Sequence, residues 1–208
     1  MTSEHKKKRG VGRPKENENK DRRAHLVDVA GPIFSRQGYG GTKIPDLAKA
    51  AGVTPAMVHY YFDGKDGLLR EVFDNAFKPL MDKLDTPSSL EEWVVTFHEH
   101  ILARRWVPHL MLREVIMEGG QLREYFSATY APRVAAKWLG LFAEEKKKGR
   151  MRADADELRH VVLTMGMLIY PFVVAPLSGV FKETPFSDED MIKFREDALR
   201  LFYRGVGG

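Results

Sequence analysis

Seven histidines and no cysteine limit the chemistry open to this 208-residue chain. Without thiols it has no disulfide framework, no thiolate zinc site and no cysteine nucleophile, which suits a reducing, cytoplasmic setting. His98-Glu99-His100 is the densest group of possible metal ligands. Residues two apart on a helix point in different directions, however, so the trio reads as a helix face. His109 and His160 have no partner at ligand spacing, and there is no HExxH, no phosphate-cradling glycine loop and no nucleophile motif. We therefore expect no metal, no cofactor and no enzymatic activity. The informative residues lie in the run GYGGTKIPDLAKAAGVTPAMVHYYFDGKDGLL, residues 38–69.

The elements that must position that run are helices. No segment alternates polar and apolar residues between hairpin turns, so the class is all-α. A first helix over residues 21–37 carries Leu26, Ala30, Ile33 and Phe34 on one face and stops at Gly38, with Pro32 expected to kink or unwind it. Two short helices, residues 43–50 and 55–61, follow Thr42 and Thr54 as caps and join through Ala51-Gly52-Val53. Pro55 suits a first helical position. Ile44, Leu47, Ala48, Val53, Val58 and Phe62 are the positions two such helices bury when they cross steeply, which is a helix-turn-helix. Its second helix would enter the DNA major groove with its N-terminal residues toward base edges.

Charge is distributed to match. Residues 1–23 hold nine Lys or Arg against four Asp or Glu, a net +5 that leaves the other 185 residues at −1. A basic leader on a neutral body is the asymmetry of a chain that meets a polyanion through one end. No apolar run follows the basic residues, so the leader is not read as a secretory signal. Its Gly12-Arg13-Pro14 core resembles an AT-hook, narrow enough for an A·T-rich minor groove whose potential favours Arg13.

Over about residues 22–70 the sequence resembles the TetR family of bacterial transcriptional regulators. The elements that carry the resemblance are Gly38-Tyr39, Thr42, Asp46-Leu47-Ala48, Ala51-Gly52-Val53, Val58-His59-Tyr60-Tyr61-Phe62, and Lys65 with Leu68. The resemblance implies that Thr42 and Lys65 bind phosphates at two helix starts. It implies that Thr54, Pro55, Ala56 and Met57 open the recognition helix, the last three offering only apolar contact. His59 and Tyr60 would reach bases or phosphates, and Tyr61 a phosphate.

A longer helix is expected over residues 65–84, ending at the turn cluster Thr86-Pro87-Ser88-Ser89, which marks a break between subdomains. Further helices are expected over 89–104, 106–117, 121–147 with a kink at Pro132, 155–170 and 188–204. The uncharged stretch 161–181 reaches the length of a membrane span, but Thr164, Gly166, Pro171 and Pro176 interrupt it, and it reads as a buried helix ending near Pro171. The last two helices are apolar over too much of their circumference for a monomer's surface. They predict a homodimer interface through Leu158, Val162, Met165, Ile169, Phe194, Ala198, Leu201 and Phe202.

The organisation expected is a basic disordered arm (1–20), a three-helix DNA-binding head (21–67) and a larger helical effector-binding and dimerisation domain (68–208). TetR-like proteins use that domain to bind a small effector. Candidate lining residues are Trp93, Phe97, Trp106, Met111, Phe126, Tyr130, Trp138 and Met165, whose character suggests an apolar or aromatic ligand. The function expected is a dimeric, ligand-released repressor on a palindromic operator. An architectural nucleoid protein without effector, and a small helical enzyme retaining the head as a relic, are the alternatives. A neutral body argues against the former, and the lack of catalytic residues against the latter.

Overall fold

A computed structural model describes residues 16–86, 88–180 and 183–206. Among these there is no strand. The helices are α1 (Glu16–Gly41), α2 (Ile44–Ala50), α3 (Pro55–Phe62), α4 (Lys65–Met81), α5 (Leu90–Leu102), α6 (Val107–Met111), α7 (Arg123–Thr129), α8 (Ala131–Lys147), α9 (Glu157–Val174) and α10 (Asp188–Val206). A π-helical turn, Leu112–Ile116, extends α6, and a 3-10 turn, Ala175–Val180, extends α9.

α1 begins five residues before the expected Asp21. Its buried face, Leu26, Ala30 and Phe34, repeats every four residues and packs on α4 and α6. The one residue inside it with non-helical dihedrals is Gly38 at φ +71°, where the sequence placed the stop, and no break occurs at Pro32. The helix tolerates that proline because the carbonyl deprived of its partner belongs to Asp28, an exposed position.

The expected threonine caps are replaced by other arrangements. α2 starts one residue late with Lys43 as its N-cap, and Thr42 turns inward, its hydroxyl donating to the Gly38 carbonyl at 2.6 Å. Thr54 does occupy the N-cap of α3, yet its side chain makes no capping bond. Reciprocal caps are made by Ser89 with Glu92 at the start of α5 and by Ser187 with Asp190 at the start of α10, each with N···O distances of 2.7 and 3.1 Å.

The expected 121–147 helix is divided at Tyr130 into α7 and α8, because Pro132 sits in the first turn of α8, where its missing N–H costs nothing. α9 runs through Pro171 to Val174 instead of stopping. By length and composition Glu157–Val180 could cross a membrane, but here it packs against α6, α8 and α10. α4 joins the two halves: Leu68, Leu69 and Val72 belong to the head's core, and Leu80 and Met81 to the body's. The division expected after residue 67 thus falls within a continuous helix.

Candidate nucleic-acid interface and buried cavity

The head presents one face of α3. Val58 and Phe62 are buried, while Thr54, Pro55, Ala56, His59 and Tyr60 are exposed, Tyr60 at 75%, and Met57 is half-buried. Tyr61 is half-buried and its hydroxyl donates to Asn19 Oδ1 at 3.1 Å, which fixes the start of α1 beside the recognition helix. Arg13 lies outside the described residues.

Two expected phosphate ligands are held differently from the sequence reading. Thr42 is 1% exposed, with its hydroxyl committed to Gly38. Lys65 is half-buried, Nζ donating to the carbonyls of Tyr39 (2.8 Å) and Thr42 (2.9 Å) and lying 4.0 Å from the centre of the Tyr39 ring. The ring's hydroxyl donates to Asp66, and that bond together with burial raises the Tyr39 phenol to about 12. Lys65 is thus a staple across the α1–α2 corner. Lys43 is exposed at the start of α2 and was missed, although a basic residue beside Thr42 was a legible signal.

The body encloses a cavity of about 400 Å³ walled by α4 to α9. Of the expected lining residues, Phe97, Met111, Phe126, Trp138 and Met165 are in its wall. Trp93 is not: it sits behind Trp138, ring centres 6.3 Å apart. Tyr130 is held outside the wall by donating to Asp74 Oδ1 at 2.5 Å, beside Tyr125 on the same oxygen at 2.7 Å. Trp106 is swung by the turn after α5 onto α1, where a Cβ on Gly31 would stand 2.7 Å from the indole. Sequence reasoning missed Phe77 and Leu80 of α4, Val107, Val115 and Ile116, and the cavity's one titratable side chain, His100. His98 faces elsewhere, its ring 5.4 Å from Phe172, so the two histidines serve different surroundings.

The π turn belongs to both sites. Leu112, Val115 and Ile116 line the cavity, while their neighbours reach the head. Arg113 donates to the Arg36 carbonyl at 2.5 Å, and the buried Glu114 accepts from the Tyr39 amide at 2.8 Å. Just before it, the Trp106 carbonyl accepts from Ser35 at 2.9 Å. Arg123 closes the turn from below, donating to the carbonyls of Val115, Ile116 and Met117 at 3.0, 2.6 and 2.6 Å. The turn thus ties the cavity wall to the end of α1.

A second apolar surface lies outside. Leu158, Val162, Leu163, Tyr170 and Leu201 are each at least 60% exposed, and Val162, Leu163 and Tyr170 edge a shallow groove between α9 and α10 together with Phe194 and Ala198. Of the expected interface residues, Leu158, Val162, Phe194 and Leu201 are on this face, and Ala198 lies in the floor of its groove. Met165 and Ile169 instead turn into the cavity, and Phe202 is buried 5.3 Å from Phe142. At 100° per residue, 165 and 169 fall on the opposite side of α9 from 163, 167 and 170.

Residues 26–72 match the family model described as bacterial regulatory proteins, tetR family. The repressor KstR2 of Rhodococcus jostii is 27% identical over 65% of this chain and 70% of its own length. The regulator BetI of Rhizobium meliloti is 27% identical over 89% of this chain and 91% of its own. Among solved structures, HlyIIR, a hemolysin II transcriptional regulator, aligns over 91% of this chain and 99% of its own with TM-score 0.64 at 20% identity. FadR of Bacillus subtilis, in complex with stearoyl-CoA, aligns over 88% and 98% with TM-score 0.67 at 14% identity. At those identities the likeness to solved structures is one of fold.

Proposed function

The chain belongs to the TetR family and is a DNA-binding transcriptional regulator, and from that premise we propose a homodimeric repressor released from a palindromic operator by a largely apolar effector. The observation that carries the proposal is the π turn Leu112–Ile116, which lines the cavity on one side and holds the Tyr39 amide on the other. A ligand that fits the cavity better in one arrangement of that turn shifts the head by the difference in affinity. The exposed apolar face of α9 and α10 supports pairing of two chains, since a surface this apolar is otherwise left in water. An architectural binder would have no use for the cavity.

Within the head, Thr54, Pro55, Ala56, Met57, His59 and Tyr60 are the proposed base-reading group, with Lys43 and the one remaining N–H of Lys65 toward phosphates and Tyr61 positioning the start of α1 through Asn19. Arg13 is proposed for the minor groove beside each half-site. The protein acts in the cytoplasm, where its operator is. The stearoyl-CoA of the FadR complex carries the kind of long hydrocarbon chain that this wall would accept. The test is selection of bound duplexes from a random pool at near-physiological salt. A palindrome with half-sites about one helical turn apart supports a dimeric repressor. Enrichment of A·T tracts alone contradicts it.

A further inference from the structure

The cavity wall is hydrocarbon apart from two rings, the imidazole of His100, its one titratable side chain, and the indole of Trp138, whose Nε1–H is buried without a hydrogen-bond partner among the described residues. His100 Nε2 lies 2.6 Å from the carbonyl oxygen of Ala76 on α4. A carbonyl can only accept, so in the neutral ring the proton is on Nε2 and Nδ1 is left as an acceptor. Nδ1 has no partner among the described residues. Burial, the largest influence, holds the imidazole below its ordinary titration range, so the neutral ring is the working form.

The consequences differ by ligand class. A carboxylate would bring an uncompensated charge against apolar walls and a lone pair. At His100 a ketone or ester would set acceptor against acceptor, whereas a hydroxyl can donate there and still accept from an N–H such as that of Trp138. An alkane would fill the volume and leave Nδ1 without a donor. We propose that the cavity takes a neutral, mostly hydrocarbon molecule bearing a hydroxyl, whose O–H donates to His100 Nδ1. The proposal rests on the effector reading above and names the chemical class of that effector. It also gives the ligand a direct hold on the helix that joins the two halves. The same imidazole is bonded to α4 at Ala76, eight residues beyond Leu68 of the head's core.

The experiment is calorimetric titration of the full chain with 1-decanol, decane and decanoate. Decanol is expected to bind about tenfold or more tightly than either of the others, because it alone brings an O–H to the Nδ1 lone pair. His100→Phe should bring decanol down to decane. Should that variant fail to fold, the three-ligand comparison on the unaltered protein still decides. Decane equal to decanol, or decanoate the tightest, overturns the hydroxyl proposal alone. Val134→Trp, which fills the cavity and leaves His100 in place, should abolish binding of decanol and decane together. If none of the three binds, or if Val134→Trp leaves their binding unchanged, the effector reading falls and the proposal with it.

Discussion

Lys65 shows how far a residue's apparent role depends on its surroundings. Its type and position at a helix start suggested a phosphate ligand, but two of its three N–H groups serve the Tyr39 and Thr42 carbonyls. Removing it leaves two carbonyls at a half-buried corner without a charged donor, so Lys65→Ala is expected to cost about 2 kcal/mol of stability, read from urea unfolding. Lys43 has no such duty. Lys43→Ala should leave unfolding unchanged and lower the slope of log affinity against log salt by about one. Thr42 was misread for a related reason: a threonine before a helix is commonly a cap, and nothing in the local sequence shows that the Gly38 break brings a carbonyl within its reach. The recognition residues were more legible, since Val58 and Phe62 at helical spacing leave His59 and Tyr60 no side but the outer one.

At the scale of elements, the sequence marked ends well where glycine set them, as at Gly38, and poorly where proline did. Pro32 and Pro171 lie inside continuous helices and Pro132 begins one, because a proline's cost depends on which carbonyl loses its partner. The π turn had no sequence signal. Glu114→Ala removes the acceptor of the Tyr39 amide and should lessen the effect of bound ligand on operator affinity several-fold, while leaving ligand affinity in the cavity unchanged. Comparison of operator binding with and without ligand checks this.

Acid stability belongs to α5. His98 is 1% exposed, and burial, followed by the charge of Arg195, lowers it to about 4. Its folded value is below the unfolded one, so the unfolded chain binds the proton first. The stability is complete above about pH 6.5 and declines toward pH 4, by about 3 kcal/mol from this residue, with His100 shifted in the same direction. Urea midpoints at pH 7 and pH 5 should differ accordingly, and His98→Phe should reduce the difference. An unchanged midpoint would mean that both rings titrate normally.

For the whole molecule, the amount of apolar surface on the last two helices was legible, but its division between inside and outside was not. The sequence assigned Met165 and Ile169 to a partner, whereas the cavity takes them and leaves Leu163, Tyr170 and Leu177 outside. A wheel apolar on all sides cannot tell a ligand's side from a partner's. Leu201→Glu places a charge on the exposed face without touching the cavity. It should convert a dimer to a folded monomer in sedimentation and weaken operator binding at least a hundredfold, because half-sites read singly lose their joint contribution.

The measurement that bears most directly on the central claim is operator binding by fluorescence anisotropy as 1-decanol is added, using a duplex selected by the protein itself. Release of the duplex over the concentrations at which decanol fills the cavity, absent in Val134→Trp, is the result expected. Undiminished operator affinity with the cavity demonstrably occupied would contradict the account, since the π turn would then transmit nothing to the head.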